Sequence, residues 1–218
     1  PYSIYKGIYK LEPGRMLTIK APFDLNCKEK TETYWSMEET AIKGQNNKFK
    51  GSFQEATDEL ERLLKESIKG QMMADVPVGA FLSAGIDSSA CVALMQSLNS
   101  SKVKSFTIGM EDPKYNEAVF AKEIEAHLGT EHTELYITEQ DAKAVIPNIA
   151  HIFGEPFADS SQIPTYLVSK MTREHVTVSL SGDGGDELFC GYNSYKSIER
   201  IWNKDKKVPY FIRKPVSS

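Results

Sequence analysis

The sequence predicts an α/β fold: a doubly wound, mainly parallel sheet preceded by a short β-hairpin segment. Three observations lead there. Nearly all-apolar runs at Val76–Leu82 and Val176–Leu180 suit strands buried on both faces. Helical periodicity alternates with the strand-like runs, beginning with Phe53, Ala56, Leu60, Leu63, Leu64 and Ile68. Both apolar runs end in loops rich in glycine, serine and aspartate, at the carboxyl strand ends where open parallel sheets bind ligands.

Element by element, Gly7–Leu11 and Met16–Ile19 are β-rich runs joined by Glu12-Pro-Gly-Arg15, a type II turn sequence, and predict a hairpin. A hairpin alone is marginal in water, so this one belongs to a larger sheet. A polar connector and Tyr34-Trp35 follow, then a linker over 44–50. Helix is expected from Phe53 to about Met73, strand over Val76–Leu82, and helix over Asp87–Leu98. Next come strand Val103–Ile108 and helix Asn116–Leu128, which Gly129 terminates. Thr133–Ile137 is strand-like. Helical patterns cover Glu139–Phe153 and Ile163–Arg173, strand Val176–Leu180 follows, and a helix starts near Asp186.

Composition narrows the function. The chain has 218 residues, 40% of them hydrophobic, enough for a real core and for one domain plus part of another. With 26 basic and 30 acidic residues the net charge is −4, which argues against a general nucleic-acid binder. No apolar run approaches the roughly 20 residues of a membrane helix. Cys27, Cys91 and Cys190 are too scattered for a disulfide framework, favouring a reducing, cytoplasmic setting. Pro1 in place of Met and the closing Phe211–Ser218 stretch predict a piece of a longer protein.

The loop Phe81-Leu-Ser-Ala-Gly-Ile-Asp-Ser-Ser89 runs from strand straight into helix. Gly85 permits close backbone approach or a positive φ, and the free N–H groups of the new helix favour an anion. Ser83, Ser88 and Ser89 add hydroxyls. Asp87 would repel a bare phosphate and so suggests a metal ion between the two. An ordinary βα turn, with Asp87 capping the helix and the serines satisfying backbone groups, accounts for the same residues equally well. The loop lacks a lysine and is not a Walker A motif.

The second loop, Leu180-Ser-Gly-Asp-Gly-Gly-Asp-Glu-Leu-Phe-Cys-Gly-Tyr192, places Asp183, Asp186 and Glu187 among glycines. These carboxylates offer hard oxygen ligands or a proton acceptor. A flexible acidic turn explains them less well, because clustered negative charge needs compensation. The spacing is not that of an EF-hand.

The first loop resembles the pyrophosphate loop of the N-type ATP pyrophosphatases, and the pair resembles the glutamine-hydrolysing asparagine synthetase family. Tyr115-Asn-Glu-Ala118, His127-Leu-Gly-Thr130, Glu155–Ser161 and Ile163-Pro-Thr-Tyr166 extend the resemblance over nearly all of Phe53 to Tyr195. It implies a ligase that uses ATP and Mg²⁺ to adenylate the side-chain carboxylate of aspartate. Ammonia, released from glutamine elsewhere in the parent protein, then displaces AMP to give asparagine. Ser83, Gly85, Asp87, Ser88 and Ser89 would cradle the pyrophosphate, with Asp87 and Asp186 holding Mg²⁺. Leu82 and Ile108 would contact the nucleotide, Ser181 and Gly182 would lie near the adenylate, and Asp183 would promote the intermediate. Residues 1–48 would be the closing hairpin and linker of a glutaminase domain, and 49–218 the front of the synthetase domain. A homodimer is a further expectation for the parent.

Three positions depart from the family pattern. Ala84 replaces a glycine and is tolerable only at negative φ. Asp183 stands where glutamate is common, and Cys190, read as a small buried residue, where glycine is usual. Cys91 is expected in the core, and His127, His132, His151 and His175 in structural or surface roles. Asp159 and Ser160 read as the start of the next helix rather than as substrate contacts. The glutaminase nucleophile would lie upstream, Cys27 being no candidate, and a transition-state lysine downstream. Alternatives are a relative that adenylates another carboxylate, as β-lactam synthetases do, or a non-catalytic nucleotide-binding domain.

Overall fold

The computed structural model describes residues 2–19, 31–111, 116–156 and 158–207. They fall into two compact units, Pro1–Glu61 with Pro147–Asp159 and Arg62–Ile146 with Ser160–Ser218.

In the first unit the Glu12–Arg15 turn forms as expected: Gly14 has φ +71° and the Arg15 N–H donates to the Glu12 carbonyl at 3.3 Å. The strand after it, β1 (Arg15–Leu17), pairs antiparallel with β2 (Thr31–Thr33), Met16 facing Glu32. Gly7–Leu11 is therefore not its partner, and its strand pairing among the described residues is an isolated bridge, Tyr9 to Tyr2. The Gly14 carbonyl explains the exchange, because it accepts the N–H groups of Tyr34 (2.9 Å) and Trp35 (3.2 Å) and draws that segment alongside β1. Cys27 lies outside the described residues, as do Tyr115 and Phe157 of the family motifs.

The expected 44–50 linker is shorter, because α1 (Met37–Asn46) runs into it. The Ser36 side chain caps α1 by accepting the Glu39 N–H at 3.3 Å. α2 (Phe53–Gln71) starts where predicted, with the Glu55 carboxylate taking the Ser52 N–H and hydroxyl at 2.7 and 2.8 Å. The division falls within α2, after Glu61, and α6 (Ile149–Phe153) belongs to the first unit. Glu155, just beyond it, accepts the Ile4 N–H at 3.2 Å and pairs with Lys10.

The second unit holds a four-stranded, all-parallel sheet of β3 (Val78–Phe81), β4 (Lys104–Met110), β5 (Glu131–Ile137) and β6 (Val178–Leu180), in the order β5-β4-β3-β6. Its helices are α3 (Ile86–Leu98), α4 (Ala118–Leu128), α5 (Glu139–Val145), α7 (Gln162–Thr172), α8 (Gly185–Phe189) and α9 (Asn193–Asp205). One face of the sheet buries Ala80, Leu82 and Leu180 with Ile68 of α2 and Val92 and Met95 of α3. The other face packs Phe106 against Met171 and Val168 of α7. Helices on both faces make the sheet doubly wound, as predicted.

Gly129 ends α4 with φ +71°, its N–H donating to Glu125 at 2.8 Å, as the sequence implied. The helix expected over Glu139–Phe153 is divided: α5 passes into a 3₁₀ turn at Ile146–Asn148 before α6. Ile146 keeps helical dihedrals (φ −51°, ψ −46°) and its N–H donates to the Lys143 carbonyl, but Pro147 has no N–H to continue the i→i−4 ladder, which tightens the chain into the 3₁₀ turn there. Among the described residues no helix is long and apolar enough to cross a membrane.

Candidate functional site

The chain leaves β3 towards β4 and β5, then returns to place β6 on the other side of β3. That reversal is a topological switch point, and crevices at such points bind ligands. Val78 pairs with Val178 and Ala80 with Leu180, so the two unusual loops leave neighbouring strand ends side by side.

In the first loop Gly85 caps α3 in extended conformation (φ −73°, ψ 151°) without a side-chain cap. Its glycine identity thus reflects space and not a positive φ. Asp87 sits in the first turn and does not cap the helix, so the ordinary-turn account fails for it. That account holds for two serines. The buried Ser88 hydroxyl lies 2.8 Å from that of Ser83 and accepts the Ser83 N–H at 3.1 Å, while the Ser89 hydroxyl donates to the Gly85 carbonyl at 2.7 Å. Ala84 meets its condition, since Cys190 is the sole non-glycine residue at positive φ among the described residues.

The glycines of the second loop let it close on the first. A Cβ on Gly182 would lie 2.7 Å from the Ser88 amide nitrogen, and one on Gly185 would lie 2.5 Å from an Asp87 carboxylate oxygen. Gly184 supplies the left-handed cap of α8 at φ +93°. Cys190 ends α8 at φ 58°, ψ 41°, a left-handed conformation that favours glycine. It is exposed, so the expectation of a buried cysteine is corrected: the reversal points it outwards. Cys91 packs against the core as expected, and burial pushes its thiol up.

The loops carry four carboxylates in two classes. The Ser181 hydroxyl donates to Asp183 at 3.0 Å and the Tyr192 hydroxyl donates to Glu187 at 2.8 Å. Tyr192 holds Glu187 below the usual carboxylate range, and its own hydroxyl is pushed up to about 12. Asp87 and Asp186 accept no hydrogen bond among the described residues.

These groups line a cleft of about 590 Å³, within the usual range for small-molecule sites. Leu82, Ser83, Gly85, Asp87, Ser88, Ile108, Ser181, Gly182, Asp183 and Asp186 line it; Ser89 does not. None of the four histidines does either. Sequence reasoning missed Thr107, which donates to the Leu82 carbonyl, together with Glu117, Ser161, Thr165 and Tyr192. The motifs at Tyr115–Ala118, Glu155–Ser161 and Ile163–Tyr166 contained three of these without singling them out.

The cleft suits an anion bridged by a divalent cation. Backbone N–H groups at the start of α3 are placed to receive an anion, and the two adjacent-loop carboxylates that accept no hydrogen bond are placed to receive a cation. Among the described residues no three His, Cys, Asp or Glu side chains converge as a ready-made metal cage. Two carboxylates completed by phosphate oxygens and water match the way Mg²⁺ is held, so the donor set fits.

Comparison with known proteins places the chain in a family. The asparagine synthase family matches residues 59–217. A provisionally named asparagine synthetase (glutamine-hydrolysing) 2 of Methanocaldococcus jannaschii is 40% identical over 98% of the chain and 39% of its own length. Asparagine synthetase (glutamine-hydrolysing) 1 of Bacillus subtilis is 37% identical over 95% of the chain and 32% of its own length. The chain thus spans well under half the length of these curated relatives. An NMN synthetase structure from Francisella tularensis is 16% identical, with TM-score 0.43 over 65% of this chain and 59% of that one.

Proposed function

The chain belongs to the asparagine synthase family, and from that premise we propose that the cleft binds ATP with Mg²⁺ for aspartate adenylation. The reading rests on one observation above all: Asp87 and Asp186, on adjacent loops at the switch point, are the loop carboxylates left without a hydrogen-bond donor. Mg²⁺ held by this pair would neutralise charge on the departing pyrophosphate.

The chain's own residues do the positioning. Backbone N–H groups at the start of α3, with the Ser83 hydroxyl, would hold the β- and γ-phosphates in line for departure. The aspartate carboxylate would attack the α-phosphate, forming an aspartyl–adenylate mixed anhydride and breaking the bond to pyrophosphate. Asp183, oriented by Ser181, would stand beside the forming intermediate. In the whole protein ammonia from glutamine would then displace AMP, with residues 1–48 the end of the glutaminase domain. The free thiols of Cys91 and Cys190 support a reducing, cytosolic setting.

Exchange of labelled pyrophosphate into ATP by the whole protein tests the proposal. Aspartate should support exchange. Exchange driven by a different carboxylic acid and not by aspartate overturns the acceptor, and ADP as product overturns the mechanism.

A further inference from the structure

The second loop presents more carboxylates than one Mg²⁺ needs, and the structure distinguishes them. Asp186 and Glu187 are adjacent on α8 and both line the cleft. A helix this short does not by itself separate their charges. The separation comes from the turn that follows. Cys190 reverses the chain in the left-handed region, and the Gly191 N–H donates to the Asp186 carbonyl at 3.0 Å. A Cβ on Gly191 would collide with the Asp186 carboxylate, so the chain passes directly beneath that group. Tyr192 emerges from this reversal with its hydroxyl 2.8 Å from Glu187 and its ring against Tyr195, centroids 5.6 Å apart.

We infer that Tyr192 is a positioning residue for the cation: its hydroxyl occupies Glu187 and leaves Asp186 as the α8 carboxylate that joins Asp87. The inference rests on the proposed ATP–Mg²⁺ reading and adds what keeps the ion between the two loops. Released from Tyr192, Glu187 is a flexible anion next to Asp186 in sequence. It would draw the ion towards α8 and away from Asp87. The phenol suits the task, because a neutral hydroxyl satisfies a carboxylate without adding charge beside the phosphates.

The test uses Tyr192→Phe in the whole protein, with thermal unfolding to establish folding. The half-saturating Mg²⁺ concentration for aspartate-dependent pyrophosphate exchange should rise about tenfold, with that for aspartate changed less than about twofold. Tyr192→Leu, which also lacks the donor, should show the same shift. Adding Glu187→Gln to Tyr192→Phe should return the Mg²⁺ requirement to within about twofold of the parent, as expected for a coupled pair. An unchanged Mg²⁺ requirement in a folded Tyr192→Phe protein overturns the inference. So does a double variant worse than the single one, which would make Glu187 itself a ligand. If the parent catalyses no exchange, the functional reading fails separately. Mn²⁺ titration with ATP, followed by electron paramagnetic resonance, then reads the same shift and rescue without turnover.

Discussion

Gly182 lies directly against the backbone of Ser88, so that a single added Cβ would stand 2.7 Å from the Ser88 amide nitrogen and 3.1 Å from the Asp87 Cβ. The obstructing atoms are backbone and the root of a side chain, which cannot rotate aside. The loop after β6 and the start of α3 therefore touch because this residue is glycine. Gly182→Ala should push the loops apart, costing about 1–3 kcal/mol of stability. Since displacement by about 1 Å can cost on the order of 10²-fold in rate, exchange should fall far more than folding does. Urea denaturation and pyrophosphate exchange on the same preparation check both. Full exchange activity in this variant would show that contact between the loops is not required.

Cys190 invites the opposite change. At φ 58° it carries a Cβ where glycine has no penalty, and its exposed side chain gives up little packing. Cys190→Gly should stabilise the protein by about 0.5–1 kcal/mol, the left-handed cost of roughly 1–2 kcal/mol being partly offset by unfolded-chain entropy. Cys190→Val, branched at Cβ, should destabilise it. Chemical denaturation midpoints of the two variants give the order.

Asp87 and Asp186 differ from Asp183 in having no hydroxyl donor. Asp87→Asn and Asp186→Asn should each lower exchange by about 10²-fold or more, as loss of one element of an electrostatic clamp does. Thermal stability should change little, because neither carboxylate accepts a hydrogen bond among the described residues. Equal and small effects on turnover would favour a non-catalytic nucleotide-binding domain.

The switch point is legible in the sequence because both of its strands, Val78–Phe81 and Val178–Leu180, lie in apolar runs ending in Gly-, Ser- and Asp-rich loops. Local chemistry marks such loops strongly. α1 is hidden in the sequence although Ser36 and Glu39 have capping-box spacing, because Gly44 and the asparagines after it read as a linker. The partner of β1 was not legible for a different reason. Thr31–Thr33 is short and polar, and its pairing depends on the Gly14 carbonyl, a contact across some twenty residues of chain. Tyr192 does not stand out in the sequence, because its contact with Glu187 depends on the reversal at Cys190 and no propensity announces a cysteine at positive φ.

His132 provides a pH probe away from the cleft. Its Nδ1 lies 2.8 Å from the Ser105 hydroxyl, which also meets the Thr130 hydroxyl at 2.9 Å. Its Nε2 is buried without a hydrogen-bond partner among the described residues, with a Glu134 oxygen 3.9 Å away. Burial pushes its pKa below the ordinary 6.5; Lys122 adds to that shift, while Glu134 and Glu125 oppose it. The unfolded chain therefore takes up this proton near pH 6.5 and the folded chain only lower, so between those values the unfolded state binds more protons. Stability should fall as pH drops through 6.5 and level off below the folded value. Carboxylates held low in the fold, among them Glu55 and Asp141, act in a separate window, their stabilisation being lost only as pH falls below 4.5 and 3.8. His132→Asn can keep an acceptor near Ser105 but cannot titrate. It should flatten the stability profile between pH 6.5 and the carboxylate window while leaving the steeper loss at lower pH. Urea unfolding at half-unit pH steps separates the two windows, and an unchanged slope in the variant would assign the upper one to another group.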